Sequence, residues 1–217
     1  MRLDLNDVRR AVIVAPHPDD EIIGAAGLIQ ALRRRGSGVW VVVVSDGAAS
    51  HPDSPTWPAV RLIAARERES RHALRRLGVR SDRVMFLGLP DGGLMAEGDP
   101  CRERLHQALR KHRGLDLLVG PAATDAHPDH RAVAAALGGF RFGGRRLTYQ
   151  VWPPQKRLAA RSRTVSIPGG AAAKRALIRV HRTQLGAITD DPRGFSIARH
   201  ELAAFSHPVE RFLPVRR

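Results

Sequence analysis

The run Ala11-Val12-Ile13-Val14-Ala15 contains no polar position. Such a run predicts a strand buried on both faces, as in a parallel sheet. Residues 21–35 then take helical spacing and stop at Gly36, a suitable C-cap. Val39-Trp40-Val41-Val42-Val43-Val44 reads as a second buried strand. A loop rich in Gly, Ser and Pro covers 45–58, and a charged amphipathic helix covers 59–77 up to Gly78. A third strand is expected over 83–87, a helix over 101–112 and a fourth strand over 115–119. Helix-length spacing between apolar strands predicts parallel βαβ units. The fold class is therefore α/β, a doubly wound, mostly parallel sheet with helices on both faces. Beyond Leu137 the pattern weakens; strands are expected over 146–152 and 163–167, and a helix over 171–186. We expect one domain over 1–217, with a sheet core over 1–139 and a C-terminal part, 140–217, packed onto it.

Composition narrows the function classes. A chain of 217 residues that is 43% hydrophobic can build a core, so a disordered or fibrous protein is excluded. No apolar stretch is long enough to span a bilayer. The start, Met1 to Asp7, lacks an apolar signal core, which points to the cytoplasm. Cys101 is the single cysteine, ruling out an internal disulfide framework or a cysteine-built zinc site. Of 36 basic residues only Lys111, Lys156 and Lys174 are lysines. Residues 1–139 carry 20 basic and 17 acidic side chains, whereas 140–217 carry 16 basic and only 4 acidic. A surplus confined to one segment raises the local concentration of anions.

The candidate chemistry lies in three copies of His-Pro-Asp. Pro16-His17-Pro18-Asp19-Asp20-Glu21 follows strand one, His51-Pro52-Asp53 lies in the loop after strand two, and His127-Pro128-Asp129-His130 lies in the loop after strand four. All three fall at carboxyl ends of strands, where doubly wound sheets place their sites. With a strand order of 3-2-1-4, the first and third motifs face each other across the topological switch point. Two histidines plus a carboxylate, with one position left for water, is a common catalytic zinc arrangement. Iron, cobalt or nickel would also suit these donors. Spacing alone leaves open whether Asp19 or Asp20 is the ligand. A lone His-Pro-Asp is most often a turn, and His51 is read that way.

The first and third motifs together resemble the PIG-L/LmbE-like zinc N-deacetylase family. The likeness extends to Ser45-Asp46-Gly47, to Arg66 and Glu69, to Leu87-Gly88-Leu89-Pro90-Asp91-Gly92, and to Lys174 and His181-Arg182-Thr183-Gln184. It implies a Rossmann-like fold and removal of acetyl groups from N-acetylglucosamine-type sugars. It further implies that His17, Asp20 and His130 hold zinc. Asp19 would be the general base, His127 the oxyanion donor and acid, and Asp129 the carboxylate that orients a histidine. Some members carry a tyrosine where this chain has Asp125; a carboxylate cannot donate to an oxyanion at neutral pH, so that role is vacant or filled otherwise. Arg66 and Asp46 are candidates for substrate hydroxyls or a phosphate, with a helix-surface ion pair between Arg66 and Glu69 as the plainer reading. Asp91 reads as a turn cap with Gly92-Gly93.

The expected partner is therefore a small N-acetylated amino sugar, phosphorylated or lipid-linked if the basic segment rims the crevice. An amidase for larger acyl groups is the near alternative. A basic protein for nucleic acid or anionic surfaces is the distant one. The aromatics after residue 139 show no repeated pattern, and no nucleic-acid motif appears, so no nucleic acid is expected.

Overall fold

β1 (Arg10–Ala15) is hydrogen-bonded on both sides, to β2 (Gly38–Ser45) and to β4 (Leu117–Pro121), and all three run parallel. The computed structural model describes residues 1–154 and 161–215, without the side chains of 97 and 98. Lys156, Arg157, Arg216 and Arg217 of the basic segment lie outside the described residues. With β3 (Val84–Leu89), β5 (Arg145–Tyr149), β6 (Arg163–Ser166) and β7 (Val209–Pro214), the sheet has seven strands in the order β3-β2-β1-β4-β5-β7-β6. β7 pairs antiparallel with both β5 and β6. The expected 3-2-1-4 order is present, and the strands after residue 139 extend the same sheet.

The continuous apolar runs give each inner strand two buried faces. Ala11, Ile13 and Ala15 face one core with α1 (Asp20–Arg34), α2 (Ala59–Arg76) and α5 (Gly170–Ile178). Val12 and Val14 face the other, with α3 (Leu94–Arg110) and α4 (Pro128–Gly138). None of the described helices is long and apolar enough to cross a membrane.

Three expectations need correction. α3 begins at Leu94, not near 101, because Leu94 is fully buried and fixes the first turn despite Pro100 within the helix. The third motif is not wholly a loop: His127 is the N-cap of α4, with Pro128 in its first turn, where a missing N–H costs nothing. The helix expected over 171–186 ends at Ile178, and a 3₁₀ turn follows over 182–184. Two elements escaped the pattern, α6 (Arg199–Phe205) and β7. β7 is short and flanked by Pro208 and Pro214, which hides its alternation.

α1 is pressed closely onto its neighbours. A Cβ on Gly24 would lie 2.3 Å from Cδ2 of Tyr149, whose hydroxyl donates to Val14 O at 2.8 Å. Gly24→Ala is expected to destabilise the fold by about 1–3 kcal/mol, the usual range for overpacking, as read from a urea midpoint. The backbone N–H groups of Gly27 and Leu28 donate to Glu210 of β7 at 2.9 and 3.0 Å, and Lys174 of α5 pairs with the same carboxylate. Burial lowers the Lys174 pKa, with Glu210 opposing the shift. Glu210→Ala is expected to cost about 3–5 kcal/mol, since it strands a buried ammonium. In that variant the folded-state pKa of Lys174 lies further below its unfolded value. The unfolded state then binds more protons between the two values, so stability should rise with pH across that window. Urea melts at several alkaline pH values would show the slope; a flat profile would contradict it.

Candidate active site

The turn after β1 brings His17 and Asp20 together, with the His17 N–H donating to Asp20 Oδ2 at 2.9 Å. Across the switch point, the first turn of α4 supplies His130. Three atoms then converge: His17 Nδ1 and Asp20 Oδ2 are 3.1 Å apart, His130 Nε2 and Asp20 Oδ2 3.1 Å, and the two nitrogens 3.2 Å. All three residues are buried.

Carboxylates lie behind both rings. His17 Nε2 faces Asp91 Oδ1 at 3.1 Å and Asp129 Oδ2 at 3.3 Å, and His130 Nδ1 lies 3.2 Å from Asp125 Oδ2. With a proton on each outer nitrogen, a bound cation would meet two imidazole lone pairs and a carboxylate oxygen aimed at one point. Such a triangle is repulsive unless something positive sits within it. Ligands of a tetrahedral zinc at about 2.0–2.1 Å stand roughly 3.3 Å apart, close to this triangle. The electrostatics draw positive charge into the triangle: both imidazoles favour protons, which a divalent cation would displace. Burial by itself would lower the His17 pKa, but Asp129, Asp20 and Asp91 hold it well above 6.5. His130 is likewise raised to about 9, Asp20 and Asp125 outweighing burial. Burial would raise Asp20, yet the two histidines hold it far below the usual carboxylate range. A divalent cation fits this donor set. Other groupings share His17: the ring nitrogens of His17, His127 and His130 lie within 4.8 Å of one another, as do donors of His17, Asp91 and Asp129.

Asp19 sits beside this triangle with φ 150°, a strained backbone for a residue with a Cβ. Its N–H donates to Glu21 at 3.0 Å, and its carboxylate lies 3.4 Å from Arg66 Nη2. Burial, opposed by Arg66 and aided by Asp20, raises its pKa to about 7. His127 is half-buried; its Nδ1 accepts from the Asp129 N–H at 3.2 Å, so the proton belongs on Nε2. Burial and the neighbouring His17 and His130 lower its pKa. Asp129 accepts from Gly92 and Leu94 at 2.8 and 3.2 Å, which ties the start of α3 to α4.

The remaining expected residues divide. Arg66 is buried, not on a helix surface: its guanidinium donates to Gly47 O at 2.8 Å and Pro18 O at 3.1 Å. Glu69 bonds Thr183 instead. Asp46 Oδ1 accepts from Ala48 and Asp91 at 2.9 and 3.3 Å, and the residue shapes its loop outside the cavity. His51 packs on Gly194, where an added Cβ would come within 2.5 Å, and takes no part in the cluster. Two residues have contacts that the sequence did not reveal. Asp91 turns its carboxylate to His17, a role that Pro90-Asp91-Gly92 at the carboxyl end of β3 could have suggested. Asp125 accepts from the Val151 and Trp152 N–H groups at 2.8 and 3.0 Å while facing His130.

His17, Asp19, Asp20, Asp91 and His127 line a cavity of about 270 Å³ that also touches Ile23, Trp152, Phe195 and Ile197. Among the described residues its only basic lining side chain is Arg66; no described basic residue after 139 lines it.

Comparison with known proteins finds one matching family model and relatives named as deacetylases. The family model described as "PIG-L: GlcNAc-PI de-N-acetylase" matches residues 12–138. The chain is 30% identical over 145 residues to 2'-N-acetylparomamine deacetylase of Streptomyces fradiae, covering 60% of this chain and 51% of that one. It is 30% identical over 128 residues to diacetylchitobiose deacetylase of Thermococcus kodakarensis, covering 58% and 46%. The chain thus spans about half the length of these curated relatives. The solved N,N'-diacetylchitobiose deacetylase from Pyrococcus horikoshii, complexed with its inhibitor, superimposes with a TM-score of 0.67 at 27% identity, covering 84% of this chain and 73% of that one.

Proposed function

Since this chain belongs to the PIG-L family, whose model matches residues 12–138, we propose that it is a metal-dependent hydrolase that removes an N-acetyl group from an N-acetylglucosamine-type amino sugar. The single observation that carries this reading is the triangle of donor atoms from His17, Asp20 and His130, 3.1–3.2 Å apart, beside the Asp19 carboxylate. These three residues would hold the ion, and zinc suits two imidazoles and one carboxylate. When bound, the ion supplies Lewis acidity, which acidifies a water and polarises an amide carbonyl.

Asp19 takes the proton of the attacking water; buried, with one long ion pair to Arg66, it keeps the basicity that this step needs. His127 presents Nε2–H to the amide oxygen as it gains charge, and the proton that Asp19 has taken from the water goes to the departing amine. Asp129 and Asp91 fix the His17 ring, and Asp125 faces the outer nitrogen of His130. Arg66 braces the loops and lines the cavity. Asp46 supports Asp91 and does not meet the sugar. With Arg66 as the only described arginine or lysine in the lining, a neutral sugar fits better than a phosphorylated one.

Acetate release from N-acetylglucosamine glycosides by zinc-loaded protein tests the reading. Release should be lost with a chelator and restored by zinc, and neutral substrates should match phosphorylated ones at any salt concentration. A metal-loaded protein that frees no acetate from any N-acetylated sugar would refute it.

A further inference from the structure

The cavity lining is of two kinds: the polar groups of the site, with Ser50, Arg66 and Gln184, and the apolar Ile23, Trp152, Phe195 and Ile197. Of the large apolar side chains that are exposed among the described residues, Phe195, at 39%, is the one that lines this cavity. Its ring stands edge-on to Trp152, with centroids 6.2 Å apart at 83°, and Trp152 is braced in turn by Phe205 at 5.1 Å.

Both rings hang on a pinned backbone. The Trp152 N–H donates to Asp125, the carboxylate that also faces His130, and Trp152 O accepts from Ala126 and Gln150 at 3.0 and 2.8 Å. The Phe195 N–H donates to Ser50 O at 2.7 Å. The segment before it is strapped to the loop after β2, because Asp190 accepts from Ser54 and Thr56, and Asp191 from Asp53. An exposed aromatic ring on rigid backbone loses little freedom when a ligand covers it.

We propose that Trp152 and Phe195 form a stacking wall for a second pyranose ring, joined to the amino sugar whose acetyl group reaches the polar groups of the site. This rests on the deacetylase reading. A cavity of about 270 Å³ is at the small end of ligand sites, which run from about 300 to 1,000 Å³, so it holds one ring and the next lies at the mouth. The acetyl group belongs beside Asp19 and His127. What extends outward past Phe195 is the glycosidic partner, and the C–H face of a pyranose supplies the apolar surface that an aromatic wall covers.

The test compares wild type, Phe195→Ala and Phe195→Tyr on N-acetylglucosamine and on its β-linked dimer, N,N'-diacetylchitobiose. Loss of one aromatic contact should lower the dimer-to-monomer ratio of kcat/KM by about 10-fold, within the usual range for such contacts, through KM and not kcat. Phe195→Tyr should restore the ratio. An unchanged ratio, equal loss on both sugars, or a penalty that follows acyl length would overturn the proposal. Calorimetry with deacetylated chitobiose separates the two readings. If wild type hydrolyses neither sugar, the deacetylase assignment fails, whereas the wall stands only if Phe195→Ala still weakens disaccharide binding.

Discussion

His130→Ala is expected to leave the purified protein with almost no divalent metal and no measurable deacetylation, while the fold survives. His130 is fully buried, and its Nε2 is one of three donor atoms that meet within 3.2 Å. Removing it leaves His17 and Asp20, too few donors for a retained ion. Changing a residue behind a ligand typically weakens metal affinity about 10–100-fold, and losing the ligand itself should exceed that. Asp125→Asn gives the graded comparison: it keeps the shape but weakens the hold on His130 Nδ1, so affinity should fall within that range. Elemental analysis and a chelator competition would measure both. Near-normal metal content in His130→Ala would remove this residue from the ligand set, and normal content in His17→Ala would do the same for His17.

Asp19→Asn separates the two adjacent aspartates. Asparagine keeps the volume and can occupy the same backbone, but it cannot accept the proton of water. Turnover should drop by about 10²–10⁴-fold, the usual worth of a positioned base, with metal content near wild type. Asp20→Asn should do the reverse and lose metal first, because Asp20 Oδ2 lies 3.1 Å from both imidazoles. If Asp19→Asn loses metal while Asp20→Asn retains it, the two roles are exchanged.

The scaffold was legible because β1, β2 and β4 are buried on both faces and announce themselves as unbroken apolar runs. The first and third motifs were legible for a related reason. Each follows such a run, so the topology alone brings His17 and His130 to one crevice. What the sequence hid were roles that depend on which oxygen meets which nitrogen. Asp91 looks like a turn cap by composition, yet its carboxylate reaches His17 from β3. Arg66 lies on a highly charged helix and looks solvated, but it is buried under Gly47 and Pro18. Asp125 looked like the loss of a donor, whereas its Oδ2 serves both His130 and the turn that carries Trp152, and its Oδ1 accepts the His127 N–H. β7 was hidden because its partner β5 carries polar alternation and its ends are prolines.

The clamp by which Glu210 grips the N–H groups of Gly27 and Leu28 bears on how the chain is made. Every candidate ligand has left the ribosome once residue 130 has emerged, but helix α1, which aims Asp20, is not yet held. At about 5–20 residues per second, several seconds pass before Glu210 arrives. A nascent chain stalled in that interval should present its histidines without capturing metal.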